Sequence, residues 1–509
     1  MKIRIIILFL LFQSSLSLAQ TSLEQLDLVN GKLQVGFRHY STADSTRTYS
    51  RIYDYSNSKI PRPIPVSVWY PAGSGLQSGS QMSVLSYFEI LKEEEEWEYL
   101  PNDQILNWFY YQNTKTNQNH LIESSNAFEN ADFDNSKFPV IIYAPSYQAS
   151  SIENFALCEY LASYGYLVIS SPSRGTENRW LEGGTSKDIE TQARDIELLI
   201  QEIHTYPNAD LDRIATIGFS FGGLSNVLSQ MRNENIKAIV SLDGSIKYQY
   251  EKLKKSPFFD LNRVNVPFIH FSQKDIPEEI LEADEIDPAL NTNFEFYDSL
   301  TFSDAYQLKF HNLTHSYFST LGVLFEKRDP RQDKSDPEIM KSYKWVAVYT
   351  LKFLDAYLKN DSDALEFIKN QPVENGIKKE LISSKYKEGK ELPFSFQDFN
   401  ELAKKQDYEN LRPLYDSLKS LHASLKLPEG DLNTLGLQLT FNPKTSQQGI
   451  NVLLLATSIY PGSANLFDSI AEAYLYVGNK EMAGINFQKS LELYPQNQNA
   501  INRLKELNR

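Results

Sequence analysis

The stretch Gly218-Phe219-Ser220-Phe221-Gly222-Gly223 decides the fold of this chain. It follows residues 213–217, a short apolar run rich in β-branched side chains that predicts a buried strand. Residues 224–231 after it predict a helix. Gly-x-Ser-x-Gly between a strand and a helix is the pattern of a nucleophile elbow, a sharp turn that exposes the serine hydroxyl. The two outer glycines are expected there because a side chain would collide with neighbouring backbone. A glycine-rich turn without chemistry is the alternative interpretation.

The sequence around this turn predicts a parallel sheet. From residue 138 onward, short apolar runs alternate with helical patterns, which is typical of parallel strands covered by helices on both faces. The predicted strands are 139–144, 166–170, 213–217, 236–242 and 266–271. The fold class is therefore α/β.

Composition limits the partners and the number of domains. A chain of 509 residues predicts at least two domains. The net charge of −15 argues against a nucleic-acid partner and against adhesion to anionic lipid. No zinc-type histidine cluster, phosphate loop or dinucleotide fingerprint stands out in the sequence, so we expect chemistry without a metal or a cofactor. The 30 tyrosines and 29 phenylalanines predict wide apolar walls with polar rims.

Residues 1–19 predict a signal peptide that is cleaved on export. The segment begins with positive charge, continues with an apolar run at 5–12 and ends on small residues at 17–19. That run is far shorter than the ~20 residues of a membrane span, so we expect a periplasmic or extracellular protein without stable membrane insertion. The single cysteine, Cys158, leaves no intramolecular disulfide and is expected to be a buried apolar residue.

The remaining chain divides into three predicted regions. An α/β domain extends over 20–358 and contains a polar insertion at 73–137, which includes the acidic run Glu93–Glu96. The insertion is either a surface excursion or a lid or wall over the site. Residues 359–430 are charged and predict a helical linker, and 431–509 predict a helical domain.

The helical domain at 431–509 resembles the tetratricopeptide-repeat family. The matching positions are Phe467, Ile470, Tyr474, Gly478, Ala483, Phe487 and Pro495. A weaker copy lies about one period upstream. We expect a packing or assembly role for these repeats, with binding of a protein partner as the alternative.

A serine nucleophile needs a histidine to accept its proton and a carboxylate to orient that histidine, in the chain order Ser, acid, His. Four histidines follow Ser220. His270 lies inside a predicted strand, and His422 lies in the C-terminal helical part. His311 directly follows a predicted strand, whereas His315 lies deeper in the loop at the start of a helix, so we favour His315.

Two aspartates compete for the role of the acid. Asp243 ends the strand that follows the nucleophile, and Asp275 ends the strand after that one. Both occupy turns at strand ends, where such a sheet places its chemistry. Position along the sequence therefore does not separate them.

From about residue 50 to 358 the chain resembles the platelet-activating factor acetylhydrolase group of α/β-hydrolases, which is related to the dienelactone-hydrolase-like enzymes. The segments that carry the resemblance are Pro65-Val-Ser-Val-Trp-Tyr-Pro71, the insertion after it, 138–143, 218–223, 241–244 and 315–318. The resemblance implies an α/β-hydrolase fold, with Asp243 as the acid and His315 as the base.

The oxygen of a tetrahedral intermediate needs two backbone N–H donors. One is expected from Phe221, the residue after the nucleophile. The resemblance places the other at Tyr147, in the loop after the strand 139–144. At this loop the chain departs from its relatives, which usually have His-Gly where this sequence has Pro145-Ser146.

These residues predict an exported serine esterase acting through an acyl-enzyme. The resemblance implies short acyl esters as small ester or lipid substrates, with the sn-2 acyl group of platelet-activating-factor-like or oxidised phospholipids as one candidate. The alternatives are an amidase or peptidase of the same fold, and a weakly catalytic, hydrolase-like binding or scaffold protein that acts through its repeats.

Overall fold

The computed structural model of the protein describes residues 21–56, 58–73, 79–283, 286–325 and 331–507. The predicted signal peptide, 1–19, lies outside the described residues. The chain divides into two compact units, with the boundary between Lys390 and Glu391. Among the described residues, no helix is both long and apolar enough to cross a membrane.

The described part of the first unit is built on one eleven-stranded sheet. Its strands are β1 (Gln34–Tyr49), β2 (Ile60–Ala72), β3 (Gln81–Ser83), β4 (Ser124–Glu129), β5 (Phe138–Ala144), β6 (Leu167–Ser170), β7 (Ala209–Phe219), β8 (Ile236–Leu242), β9 (Phe268–Ser272), β10 (Ala305–Phe310) and β11 (Ile382–Lys387). Their order across the sheet is β11-β10-β9-β8-β7-β5-β6-β2-β1-β4-β3. The six strands from β10 to β6 in this order pair in parallel, and β2 and β1 follow as antiparallel strands. This is the mostly parallel sheet of the α/β-hydrolase fold, as predicted.

Helices cover both faces of the sheet. They are α1 (Val84–Glu94), α2 (Ile105–Trp108), α3 (Lys115–Leu121), α4 (Phe155–Ser163), α5 (Ser186–Glu202), α6 (Gly222–Arg232), α7 (Tyr250–Lys254), α8 (Glu278–Ala283), α9 (Glu295–Ser299), α10 (Thr320–Phe325), α11 (Asp336–Leu358) and α12 (Ser362–Lys369). Successive side chains of a strand point to opposite faces. Along β5, Val140, Ile142 and Ala144 therefore pack with α5 and α6, whereas Ile141 and Tyr143 pack with α4 and α11. Cys158 of α4 is buried, as expected.

The insertion at 73–137 contributes to the core, which corrects its interpretation as a surface excursion. Strand β4 pairs with β1 and β3, so the insertion extends the sheet. Val84, Tyr87 and Phe88 of α1 are fully buried. Three of the four glutamates of its acidic run are also buried. Their burial could not be predicted from the local sequence, because their partners lie elsewhere in the chain.

The predicted helical linker, 359–430, contains a strand that its charged sequence did not indicate. Residues 382–387 form β11, which pairs antiparallel with β10 at the edge of the sheet. The boundary between the two units consequently falls inside the predicted linker. Polar, lysine-rich sequence is typical of an edge strand, because it discourages pairing with a further chain.

In the described residues, every regular element of the second unit is a helix. Its helices are α13 (Phe396–Lys405), α14 (Leu411–Leu421), α15 (Glu429–Thr440), α16 (Ser446–Ile459), α17 (Ala464–Tyr476), α18 (Lys480–Leu493) and α19 (Gln498–Leu507). Gly478, between α17 and α18, has a φ of 82°, which favours glycine. Ala483 and Phe487 of α18 are fully buried against α17. The assignment of these helices to the tetratricopeptide family stays a prediction.

A buried ion-pair network ties β1 and β2 to α5. Asp195 of α5 accepts hydrogen bonds from Arg62 of β2 (Nη2–Oδ2, 2.7 Å) and from Arg47 of β1 (Nη2–Oδ1, 2.5 Å). All three side chains are buried. Charges taken out of water are stable only while they remain paired, so this network holds the antiparallel strands in place.

Asp195→Ala should lower the free energy of unfolding of the first unit by about 3–5 kcal/mol, because it leaves a buried guanidinium without its carboxylate. Urea unfolding followed by tryptophan fluorescence measures this, since all five tryptophans lie in the first unit. Glu182→Ala is the matched control, since it breaks an exposed pair with Lys187 (2.7 Å). It should cost less than about 1 kcal/mol. Equal losses in the two variants would contradict the role given to the network.

Candidate active site

The turn at Ser220 joins β7 to α6 in a strained backbone conformation. Ser220 has a φ of 52°, a left-handed value that non-glycine residues rarely adopt. A Cβ on Gly218 would lie 2.3 Å from the carbonyl oxygen of Gly222, and one on Gly222 would lie 2.1 Å from that of Ala144. Both glycines are therefore required sterically, as expected. Strain of this kind persists where the surrounding structure holds it, often at functional sites.

The structure brings together three of the predicted site residues. His315 Nε2 lies 2.8 Å from Ser220 Oγ, and His315 Nδ1 lies 2.6 Å from Asp243 Oδ2. The three residues follow different strands, β7, β8 and β10, at the carboxyl edge of the sheet. Hydrogen bonds thus connect the serine hydroxyl through the imidazole to a carboxylate.

Asp243 has the environment of an ionised carboxylate. Burial alone would raise its pKa, but the hydrogen bond and charge of His315, with a smaller contribution from the Gln273 N–H, hold the pKa below its ordinary value. The Gln273 N–H donates to Asp243 Oδ1 at 3.0 Å. A buried negative charge beside Nδ1 favours the imidazole tautomer with a proton on Nδ1, which leaves Nε2 free to accept the serine proton.

Asp275, the alternative acid, lies apart from this arrangement. Its side chain is exposed and pairs with Lys309. The geometry therefore joins His315 to Asp243 and agrees with the choice that the resemblance implied.

The other two histidines of the first unit that follow Ser220 make different contacts. His311 Nε2 lies 3.0 Å from Ser383 Oγ of β11. His270 is buried in β9, with Nδ1 2.9 Å from Ser241 Oγ. Burial lowers the pKa of His270 to about 3, so this ring is neutral. Its role is to pack in the core of the sheet.

The two residues expected to supply oxyanion donors are neighbours. Phe221 stands at the start of α6, and Tyr147 lies in the loop after β5. Their rings meet edge to face with centroids 5.8 Å apart. The Tyr147 hydroxyl donates to the Leu181 carbonyl (3.3 Å) and accepts from the Gly183 N–H (3.1 Å), which fixes its side chain.

Sequence reasoning missed one ionisable residue at this site, Glu153. Its carboxylate is buried and accepts hydrogen bonds from the Ser146 N–H (2.9 Å) and the Ser146 hydroxyl (2.5 Å). Burial raises its pKa to about 7, against the opposing influence of Ser146 and His315. The signal that could have found it is an acidic residue two positions before the apolar helix α4.

A cavity of about 830 Å³ opens beside His315. On one side it is lined by the loop after β5, Phe219 and the segment 315–322. On the other side it is lined by residues from 91 to 111 of the insertion, with Arg179 and Trp180. The insertion is therefore a wall of this cavity.

Aromatic side chains cluster on that wall. The Trp97 ring lies 4.2 Å from the Tyr53 ring and 4.5 Å from the Trp108 ring, between centroids. Trp108, Tyr110 and Trp180 are exposed. This matches the expected apolar wall with a polar rim, and it suits an organic group with a flat or apolar surface.

Buried ion pairs and hydrogen bonds fix the backbone of this wall. Glu95 pairs with Arg179, and Arg174 donates to the Glu94 carbonyl. The Glu94 carboxylate accepts from the Ser151 N–H (2.9 Å). The acidic run thus anchors the insertion to the loops after β5 and β6.

Comparisons with known proteins add little to what the geometry of the site shows about its chemistry. No family model and no curated protein matches the chain. Among solved structures, a ferulic acid esterase from Streptomyces cinnamoneus is similar at 16% sequence identity and a TM-score of 0.46. The match covers 66% of this chain and 93% of that one. The assignment to the α/β-hydrolase fold therefore depends on the strand order described above.

Proposed function

We propose that the protein is a serine esterase that hydrolyses carboxylic esters through an acyl-enzyme. The observation that carries this proposal is the pair of hydrogen bonds from Ser220 to His315 and from His315 to Asp243. A serine hydroxyl becomes nucleophilic when a positioned base accepts its proton. The strained turn exposes that hydroxyl beside a cavity large enough for a small organic ester.

The reaction divides into two steps. Ser220 Oγ attacks the acyl carbon while its proton passes to His315 Nε2, and that proton then goes to the leaving alcohol as the ester bond breaks. Water next attacks the acyl-enzyme and gives a proton to His315, which passes it to Ser220 Oγ as the bond to the acyl group breaks and the acid is released. Asp243 stabilises the imidazolium in both steps, and the N–H groups of Phe221 and Tyr147 stabilise the oxyanion.

We propose short acyl esters as substrates, including the sn-2 acyl group of platelet-activating-factor-like or oxidised phospholipids, and an exported location for the enzyme. Support comes from the sequence resemblance and from the aromatic wall, which suits an apolar leaving group. For the C-terminal helices we propose a packing or assembly role, with binding of a protein partner as the alternative.

Ser220→Ala should abolish labelling by a fluorophosphonate probe, because the probe forms a covalent bond only with an activated serine. Gel fluorescence after incubation measures the labelling. Ser136→Ala, at an exposed serine outside the site, is the control and should label like the wild type. Absence of labelling in the wild type would refute the esterase proposal.

Asp243→Asn should lower kcat for p-nitrophenyl acetate by about 10³-fold or more, because the amide no longer selects the imidazole tautomer that accepts the serine proton. Asp275→Asn should change kcat less than about twofold, since it disturbs only an exposed ion pair. Steady-state kinetics of the two isosteric variants test the choice of acid. A larger loss in Asp275→Asn would reverse it.

The chain-length preference tests the substrate proposal. We expect kcat/KM for p-nitrophenyl esters to be highest for acetate to butyrate and to fall at least about 10-fold by decanoate. A differential contact worth ~1.4 kcal/mol gives that ratio. Rising kcat/KM toward decanoate would show that the acyl site takes long chains, against the proposal.

A further inference from the structure

The loop after β5 has to point a backbone N–H at the reacting oxygen, although it contains no glycine between Pro145 and Gln148. Gln148 has a φ of 56°, in the left-handed region that favours glycine. Such a conformation costs free energy and persists only where neighbouring contacts enforce it.

Groups from three other segments bind the loop, two of them side chains and one a backbone N–H. Gln192 of α5 donates to the Pro145 carbonyl at 2.9 Å. The Leu181 N–H donates to the Gln148 side chain at 2.9 Å. Glu153 accepts from both the N–H and the hydroxyl of Ser146, the residue directly before Tyr147. Among these contacts, the bonds to Glu153 are charge-assisted when the carboxylate is ionised and are therefore the strongest.

The contacts at Ser146 also orient the next peptide group. The Ser146 carbonyl accepts from the Ala149 N–H at 3.3 Å. Because a trans peptide is planar, the Tyr147 N–H must point opposite to that carbonyl. Fixing the Ser146 residue at its N–H, its hydroxyl and its carbonyl thus fixes the direction of the Tyr147 N–H.

We propose that Glu153 is a positioning residue that holds the oxyanion loop, through Ser146, in the conformation that presents the Tyr147 N–H to the tetrahedral intermediate. The inference rests on the proposed esterase function. It assigns a role to a buried carboxylate that the relay of Ser220, His315 and Asp243 does not use.

The protonation state of Glu153 should modulate this role. Tyr143 of β5 (hydroxyl to Oε2, 3.5 Å) and His315, from the loop after β10, are the titratable groups that face it. An ionised carboxylate has acceptor sites for both donors of Ser146, whereas protonation converts one oxygen to a hydroxyl and weakens one of these bonds. Burial raises the pKa of Glu153 to about 7, so the loop is held more firmly at pH 8 than at pH 6.

Glu153→Gln tests the proposal, because glutamine keeps the shape and loses the charge. With p-nitrophenyl acetate we expect kcat to fall about 10-fold or more at pH 8, with KM changed less than about twofold, since the lost contact acts on the transition state. The ratio of wild-type to variant kcat should grow from pH 6 to pH 8. An unchanged kcat, or a loss independent of pH, would overturn the proposal.

Two further variants separate positioning from stability. Glu159→Gln alters another buried glutamate, on α4, which accepts from the Tyr87 hydroxyl (2.6 Å) and the Asn126 N–H (3.0 Å). It should keep kcat within about twofold. Ser146→Ala removes one of the two donors and should cause a smaller loss than Glu153→Gln. The double variant should be no worse than Glu153→Gln alone, and additive losses would contradict a shared pathway.

Hydrogen exchange gives a readout that needs no turnover. In Glu153→Gln, a peptide covering 145–148 should exchange faster than in the wild type at pH 8, and unchanged exchange would overturn the proposal. If the wild type were not labelled by fluorophosphonate, the esterase function would fail while exchange still decided whether Glu153 holds the loop. The two failures are thus distinguishable.

Discussion

The backbone of the turn at Ser220 approaches the end of β5 more closely than any side chain would permit. A Cβ on Gly222 would lie 2.1 Å from the Ala144 carbonyl oxygen. The same turn is tied to β8, because the Ser220 N–H donates to the Leu242 carbonyl (3.1 Å) and its own carbonyl accepts from the Ser245 N–H (2.7 Å). Three strand ends are thereby held together at one serine. Asp243, the loop after β5 and the cavity beside His315 all lie around this contact.

The sequence predicted the parts of the molecule whose signals are local. Continuous apolar runs identify buried parallel strands, and glycine spacing identifies the elbow. Ser220, His315 and Asp243 followed from chain order, with the resemblance needed to separate Asp243 from Asp275. The remaining parts depend on partners distant in sequence. Strand β11 carries charged side chains because it lies at an edge of the sheet, where it pairs only with β10. Its sequence therefore shows no periodic apolar pattern that would predict a strand.

The burial of charged side chains is the property that the local sequence indicates least. A run of glutamates normally indicates a solvated surface. Glu95 is nevertheless buried, because it pairs with Arg179 from a loop some 80 residues away. Glu94 is buried because its carboxylate accepts hydrogen bonds from Ser150 and Ser151. Glu153 is a similar case, since its partner Ser146 gives no sign of the pairing. Both sets of contacts concentrate around the cavity, so the residues that sequence reasoning missed are those that shape the site.

The wall of the cavity contains two kinds of residue, which differ in their tolerance to substitution. Its backbone is fixed by the ion pair of Glu95 with Arg179, whereas Trp108, Tyr110 and Trp180 project from it into solvent. Exposed side chains contribute little to the free energy of unfolding, so they can be replaced while the backbone of the wall keeps its conformation. Single substitutions at the rim can therefore change the chemistry of the cavity mouth at little cost in folding free energy. The cavity thus combines an adaptable rim with a fixed frame.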